Sequence, residues 1–151
     1  MTRLEENACV EDLRIAKEQL LQNSLTLCIV RRGNVVFRAV SHGISGFLNA
    51  LERFGDQVEG ASVADKVVGK AIALLCVYAR VKAVYASTLS RSAKKVFEEH
   101  SVLVEWDDLV ETVLSASKTE ACPFEELAVS IADPAEAYVK LKALQSSLKQ
   151  C

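Results

Sequence analysis

Gly60-Ala-Ser-Val-Ala-Asp-Lys-Val-Val-Gly-Lys-Ala-Ile-Ala-Leu-Leu-Cys-Val-Tyr-Ala-Arg80 decides how the rest of the chain is read. Taken as one element, Ser62–Val81 is a helix about 30 Å long at ~1.5 Å per residue. Its first two turns carry Asp65, Lys66 and Lys70. A buried helix avoids charge, so these side chains need partners, water or a task. Ser62 with an acid three residues later reads as a capping box that satisfies two helix amides. The functional alternative has Asp65 facing a cleft at the helix start. Lys66 and Lys70 share a helical face, which is unfavourable unless an anion lies near. Gly69 in mid-helix costs about 1 kcal/mol against alanine and marks a close approach by another group.

Upstream, Val10, Leu13, Ala16, Lys17, Leu20 and Leu21 recur at helical spacing, after a polar segment 1–9 read as a flexible N-terminus. Ser24–Val30 reads as a strand, Arg31–Asn34 as a turn and Val35–Val40 as the returning strand of a hairpin. Ile44, Phe47, Leu48, Leu51 and Phe54 mark a helix that Gly55 ends. Downstream, Ala83–Leu89 is a strand, Ser92–His100 a helix and Ser101–Trp106 a strand. Asp107–Leu114 reads as a helical turn or short helix and Ser115–Ala121 as a polar loop. Asp133-Pro134-Ala-Glu136 is a helix start with cap, first-turn proline and reciprocal acid. Strands joined by single helices pair in parallel, so the fold class is α/β: a three-layer α-β-α arrangement around a mixed, mostly parallel sheet.

At 151 residues the chain is long enough for one domain with a real core. The basic and acidic residues, 18 and 20, nearly cancel, which argues against a nucleic-acid partner. The polar N-terminus lacks a signal-peptide pattern, and Lys70 and Arg80 interrupt the longest apolar run, so a membrane partner is not expected. Cys9, Cys28, Cys76, Cys122 and Cys151 form no Cys-x-x-Cys pair and read as reduced thiols of a cytoplasmic protein.

Thr88-Leu-Ser90-Arg91-Ser92 joins a strand to a helix. Its hydroxyls read as caps, and its amides, together with Arg91, also make an anion site at a strand's carboxyl end. The ligand-binding candidates are therefore Ser62, Asp65, Lys66, Thr88, Ser90 and Arg91. The catalytic candidates are Asp65, Lys66 and Cys122, the last being a lone cysteine with no histidine beside it. His42 and His100 read as exposed. Ala137, Leu141, Leu144 and Leu148 form a narrow seam on the last helix, suited to docking on one helix or to a homodimer.

Leu25–Val30, Gly60–Ala71, Val84-Tyr85-Ala86 and Cys122-Pro-Phe-Glu125 together resemble the prokaryotic domain of unknown function 1893 family, of cytidine-deaminase-like fold. The resemblance covers Leu13–Glu125. It implies a deaminase-like domain over 10–126, with 127–151 as a C-terminal helical extension. Active members of that fold hold zinc through a His or Cys ahead of Ala-Glu and through a later Pro-Cys-x-x-Cys. Setting Ala64-Asp65 on the Ala-Glu pair puts Val63 at the first ligand position. Setting Thr88-Leu89 on the second motif puts Ser92 and Lys95 at the cysteines. Zinc needs four N, S or O donors, so the resemblance implies a scaffold with no metal ligands, no cofactor and no zinc-deaminase activity. The leading reading is a pocket for a small anionic or nucleotide-like ligand. The alternatives are a metal-free enzyme using Asp65, with Cys122 as a nucleophile, or a homo-oligomeric interaction protein.

Overall fold

A computed structural model describes residues 3–41, 44–113 and 122–149. Helix α1 (Arg3–Gln22) leads into a hairpin of β1 (Leu27–Arg31) and β2 (Asn34–Ala39). Then follow α2 (Ser45–Val58), β3 (Ser62–Val68), α3 (Lys70–Tyr78), β4 (Ala83–Ser90), α4 (Arg91–Glu99) and β5 (Leu103–Val110). Two helices, α5 (Pro123–Ala128) and α6 (Pro134–Lys149), close the described chain. The five strands form one sheet in the order β2-β1-β3-β4-β5. β1 runs antiparallel to both neighbours, and β3, β4 and β5 are parallel.

Alternate residues assign the two faces. Cys28, Val30, Ala64, Ala83 and Tyr85 pack under α1 with Leu13, Ala16 and Leu20. Leu27, Ile29, Val63, Val84 and Ala86 point the other way, into the larger core with α2, α3 and α4. α6 lies on α3, where Ala137 and Leu141 are buried and Tyr78 stacks on Tyr138 with ring centroids 4.5 Å apart. The α/β class and its layers therefore stand as the sequence implies. Half of the C-terminal seam docks inside the chain, on α3.

The long helix predicted for Ser62–Val81 is two elements. Ser62–Val68 is the central strand β3, and the helix begins only at Lys70. Ser62, Val63, Ala64 and Asp65 are all buried, because helices cover both faces of this strand. Such a strand shows no period of two, so its apolar run reads like a buried helix. Gly69, assigned to mid-helix, is the boundary itself, with extended backbone before α3. The Ser62–Asp65 capping box accordingly does not exist. Lys66 and Lys70 lie on different elements and share no face.

Four other expectations also change. The chain is helical from Arg3, and Cys9 is buried, so helix α1 takes in most of the segment expected to be flexible. α2 runs past Gly55 to Val58, with non-helical backbone at Phe54 (φ −133°, ψ 29°), and Val58 is fully buried. Of Asp107–Leu114, residues Asp107–Val110 belong to strand β5, Glu111–Val113 are neither helix nor strand, and Leu114 lies outside the described residues. In β5, Asp108, Leu109 and Val110 pair with Thr88, Leu89 and Ser90. The first strand starts at Leu27 rather than Ser24. His42, Gly43, Ser115–Ala121 and Cys151 lie outside the described residues.

The Arg31–Asn34 turn is as predicted, with Arg32 and Gly33 at φ 53° and 79°. Asp12, buried on α1, accepts from the Arg32 and Gly33 amides at 2.9 and 2.8 Å and fastens α1 to the hairpin. Asp133 caps α6 by accepting from the Glu136 amide at 3.2 Å. Among the described residues no helix is long and apolar enough to cross a membrane.

Candidate functional site

Parallel strands put their carboxyl ends together, and here Val68 on β3 pairs with Leu89 on β4. The helices that follow, α3 and α4, therefore begin side by side. Each beginning has a different occupant.

At α3, Glu125 from α5 puts its carboxylate on two backbone amides. Oε2 accepts from Lys70 N at 3.0 Å and Oε1 from Ala71 N at 2.9 Å. Helix amides and dipole favour an anion at this place. A Cβ on Gly69 would overlap the Glu125 carboxylate, which is why the boundary residue is glycine. Burial pushes the Glu125 carboxyl upward in pKa, while the amides and the nearby Lys70 pull it down. The Lys70 ammonium donates to the Val129 carbonyl at 3.0 Å, a second tie from α3 to the end of α5. Pro123 in the first turn of α5 orients this short helix.

At α4, Ser90 is the cap. Its hydroxyl accepts from Ala93 N at 3.1 Å and lies 3.1 Å from the Ser92 hydroxyl. Arg91 is exposed and pairs with Glu111 at 2.5 Å. Thr88 lies half-buried two residues back along β4.

Of the residues singled out in the sequence, Thr88, Ser90 and Arg91 are together at this end. Ser62 is not. It begins β3, six residues from Val68, hence about 20 Å away at ~3.3 Å per residue. There its hydroxyl donates to the Cys9 carbonyl at 2.8 Å and ties the strand to α1. Lys66 is exposed. Cys122 is half-buried at the position just before α5. None of the four described cysteines is in a disulfide, and Cys9, Cys28 and Cys76 are buried. Among the described residues no three His, Cys, Asp or Glu side chains converge as metal ligands.

Asp65 is a separate matter. It is 9 % exposed, in mid-strand between Leu27 and Ala86, on the face that α3 covers. Its Oδ1 accepts from Val67 N at 3.3 Å, and no cation pairs with it among the described residues. Burial raises its pKa from 3.8 to about 7, against the pull of the Val67 and Lys66 amides. The buried Cys76 thiol on α3 is held well above its ordinary value by burial first and by Asp65 second. Near neutral pH this site is thus a part-protonated carboxyl beside an uncharged thiol.

Sequence reading missed two groups. Glu125 stood in a quoted motif without a role, and only its contact with Gly69 reveals one. On the α1 face, the Tyr85 hydroxyl donates to Asp107 at 2.5 Å and lies 3.3 Å from Ser87. Lys17 sits over the Tyr85 ring at 4.7 Å and pairs with Glu105 at 3.2 Å. The i, i+2 spacing of Tyr85, Ser87 and of Glu105, Asp107 was the available signal, once both segments are strands.

The family model described as TM1506, domain of unknown function (DUF1893), matches residues 15–144. Among solved structures, the crystal structure of a DUF1893 family protein (TM1506) from Thermotoga maritima at 2.70 Å resolution is similar. It has a TM-score of 0.79 and 28% sequence identity over 91% of this chain and 90% of that one. No curated protein matches the chain.

Two outcomes test this geometry by urea unfolding. Glu125→Gln and Gly69→Ala each lower stability by about 1–2 kcal/mol through the lost cap, and the double variant falls well short of the sum, since both break one contact. Wild-type protein loses stability as pH rises from about 4 to about 7, because the native state holds the Asp65 proton more tightly than the unfolded chain. The loss is on the order of 4 kcal/mol at ~1.4 kcal/mol per pKa unit, and Asp65→Asn removes it.

Proposed function

The chain belongs to the DUF1893 family, and on that footing we propose that it binds a small anionic or nucleotide-like ligand, without a metal, on a cytidine-deaminase-like scaffold. The observation that carries this reading is the adjacency of the α3 and α4 starts on neighbouring parallel strands, with a carboxylate already held by the α3 amides. Ligands of open α/β sheets enter at such carboxyl ends. α3 is filled by Glu125, so the ligand's anionic group meets α4. There the Ser90 and Ser92 hydroxyls and the amides around them provide the hydrogen bonds. Arg91 turns from Glu111 to the ligand, an exchange of one exposed partner for another that costs little. Thr88 lines the approach from β4.

The donor set supports the metal-free part. With the helix starting at Lys70, the residues at its opening are Gly69, Lys70 and Ala71, and those at α4 are Ser92 and Lys95. None carries a donor suited to zinc.

A second reading, a metal-free acid–base enzyme, is favoured by Asp65 alone. A carboxyl with a pKa near 7 can take and return a proton at neutral pH. Ser62 and Lys66 have no part in either reading.

A thermal-shift panel of nucleotides, sugar phosphates and dicarboxylates tests the binding reading. The expected result is a rise in Tm with at least one nucleotide or phosphate, reduced in Arg91→Gln/Ser92→Ala and kept in Asp65→Asn. No shift with any member of the panel contradicts it. A shift lost only in Asp65→Asn moves the function to the acid–base reading.

A further inference from the structure

A groove of about 450 Å³ runs between β2 and α2, two strands away from the α3 and α4 starts. Small-ligand sites commonly have volumes of about 300–1,000 Å³. Its walls are made in a regular way. Ser45, Asn49 and Arg53 succeed one another at four-residue steps along one face of α2, a stripe about 12 Å long at ~1.5 Å per residue. Phe37 on β2 forms the apolar wall, and Gln145 of α6 closes the far side. Arg38 also borders the groove, but its pairing with Cys28 turns its side chain to the α1 face.

Two features point to an oxyanion. Among the described residues no acidic side chain lines the groove, although the whole protein carries more acid than base. The polar side chains that line it are also uncommitted. Arg53 has no carboxylate partner among the described residues and lies over the Phe54 ring at 5.1 Å. Ser45, Asn49 and Gln145 make no side-chain hydrogen bond to the described chain, in contrast to Ser62, Ser90 and Glu125, whose polar groups are all engaged. One guanidinium, two carboxamides and a hydroxyl facing an aromatic wall match a small molecule with a phosphate at one end and a hydrogen-bonding ring at the other.

We infer that this groove is a binding site for a phosphate-bearing small molecule of the nucleotide class, with Arg53 on the phosphate and Asn49, Ser45 and Gln145 along its body. The site is separate from the α4 start and stands or falls independently of it.

The test is a calorimetric titration of the full chain with inorganic phosphate, pyrophosphate and ADP. ADP is expected to bind saturably and more tightly than inorganic phosphate, with affinity that weakens as salt rises. Arg53→Gln is expected to weaken ADP about ten-fold, as loss of one charge-assisted contact does, and Asn49→Ala several-fold. Lys82→Gln, a change of an exposed cation outside both sites, is expected to leave the affinity unchanged. All three residues are exposed, so the variants fold, and unchanged circular dichroism verifies it. No saturable binding of any of the three probes overturns the inference. So does ADP binding that Arg53→Gln leaves intact. Binding lost in Arg91→Gln but kept in Arg53→Gln assigns the ligand to the sheet end and rejects the groove.

Discussion

A strand covered on both faces must be apolar along its length, or else each polar group on it must be satisfied inside the protein. β3 is that strand here, and the architecture is arranged around it. α1 covers one of its faces and α3 the other, and β1 and β4 flank its edges. Ser62 meets the demand by donating to the Cys9 carbonyl. Asp65 meets it only in part, through backbone amides, and is therefore pushed toward its protonated form. A buried carboxyl without a cation is an expensive feature, and such groups gather at functional sites more often than elsewhere.

The second constraint joins parts of the chain that are far apart in sequence. Glu125 and Lys70 are 55 residues apart, yet one carboxylate fits between α3 and α5 with room for nothing larger than glycine beside it. This contact ends the strand, starts the helix and fastens α5 in a single place. It also leaves the two helix starts unequal. α3 has its anion supplied from within. α4 has a serine cap and an exposed arginine whose partner, Glu111, is itself exposed. Of the two helix starts, α4 is the one that keeps an exposed cation beside it.

Local signals in the sequence were read correctly wherever the structure depends on local chemistry. Asp133-Pro134 starts α6, Ser90 caps α4, and the Arg31–Asn34 turn closes the hairpin. Errors arose where distant partners decide. Val63, Val67 and Val68 are β-branched, but without knowledge of the two covering layers their segment merges with the alanine- and leucine-rich helix after Gly69. Asp107-Asp108 reads as a helical turn or short helix, since pairing with β4 cannot be read locally. The placement of the candidate site residues follows the same division. Thr88, Ser90 and Arg91 are neighbours in sequence, whereas bringing Ser62 and Lys66 to them required a helix that is absent. Glu125 could not be assigned a role until Gly69 was seen against it.

The account rests on Asp65 being inside a covered strand, and its carboxyl carbon reports that directly. In protein labelled with ¹³C at aspartate, the Asp65 Cγ resonance is followed by NMR from about pH 3 to about pH 9. The predicted titration midpoint is about 7. A midpoint at or below about 4, as for a carboxylate that caps an exposed helix start, would return Ser62–Val81 to a single helix and contradict the fold described for this segment.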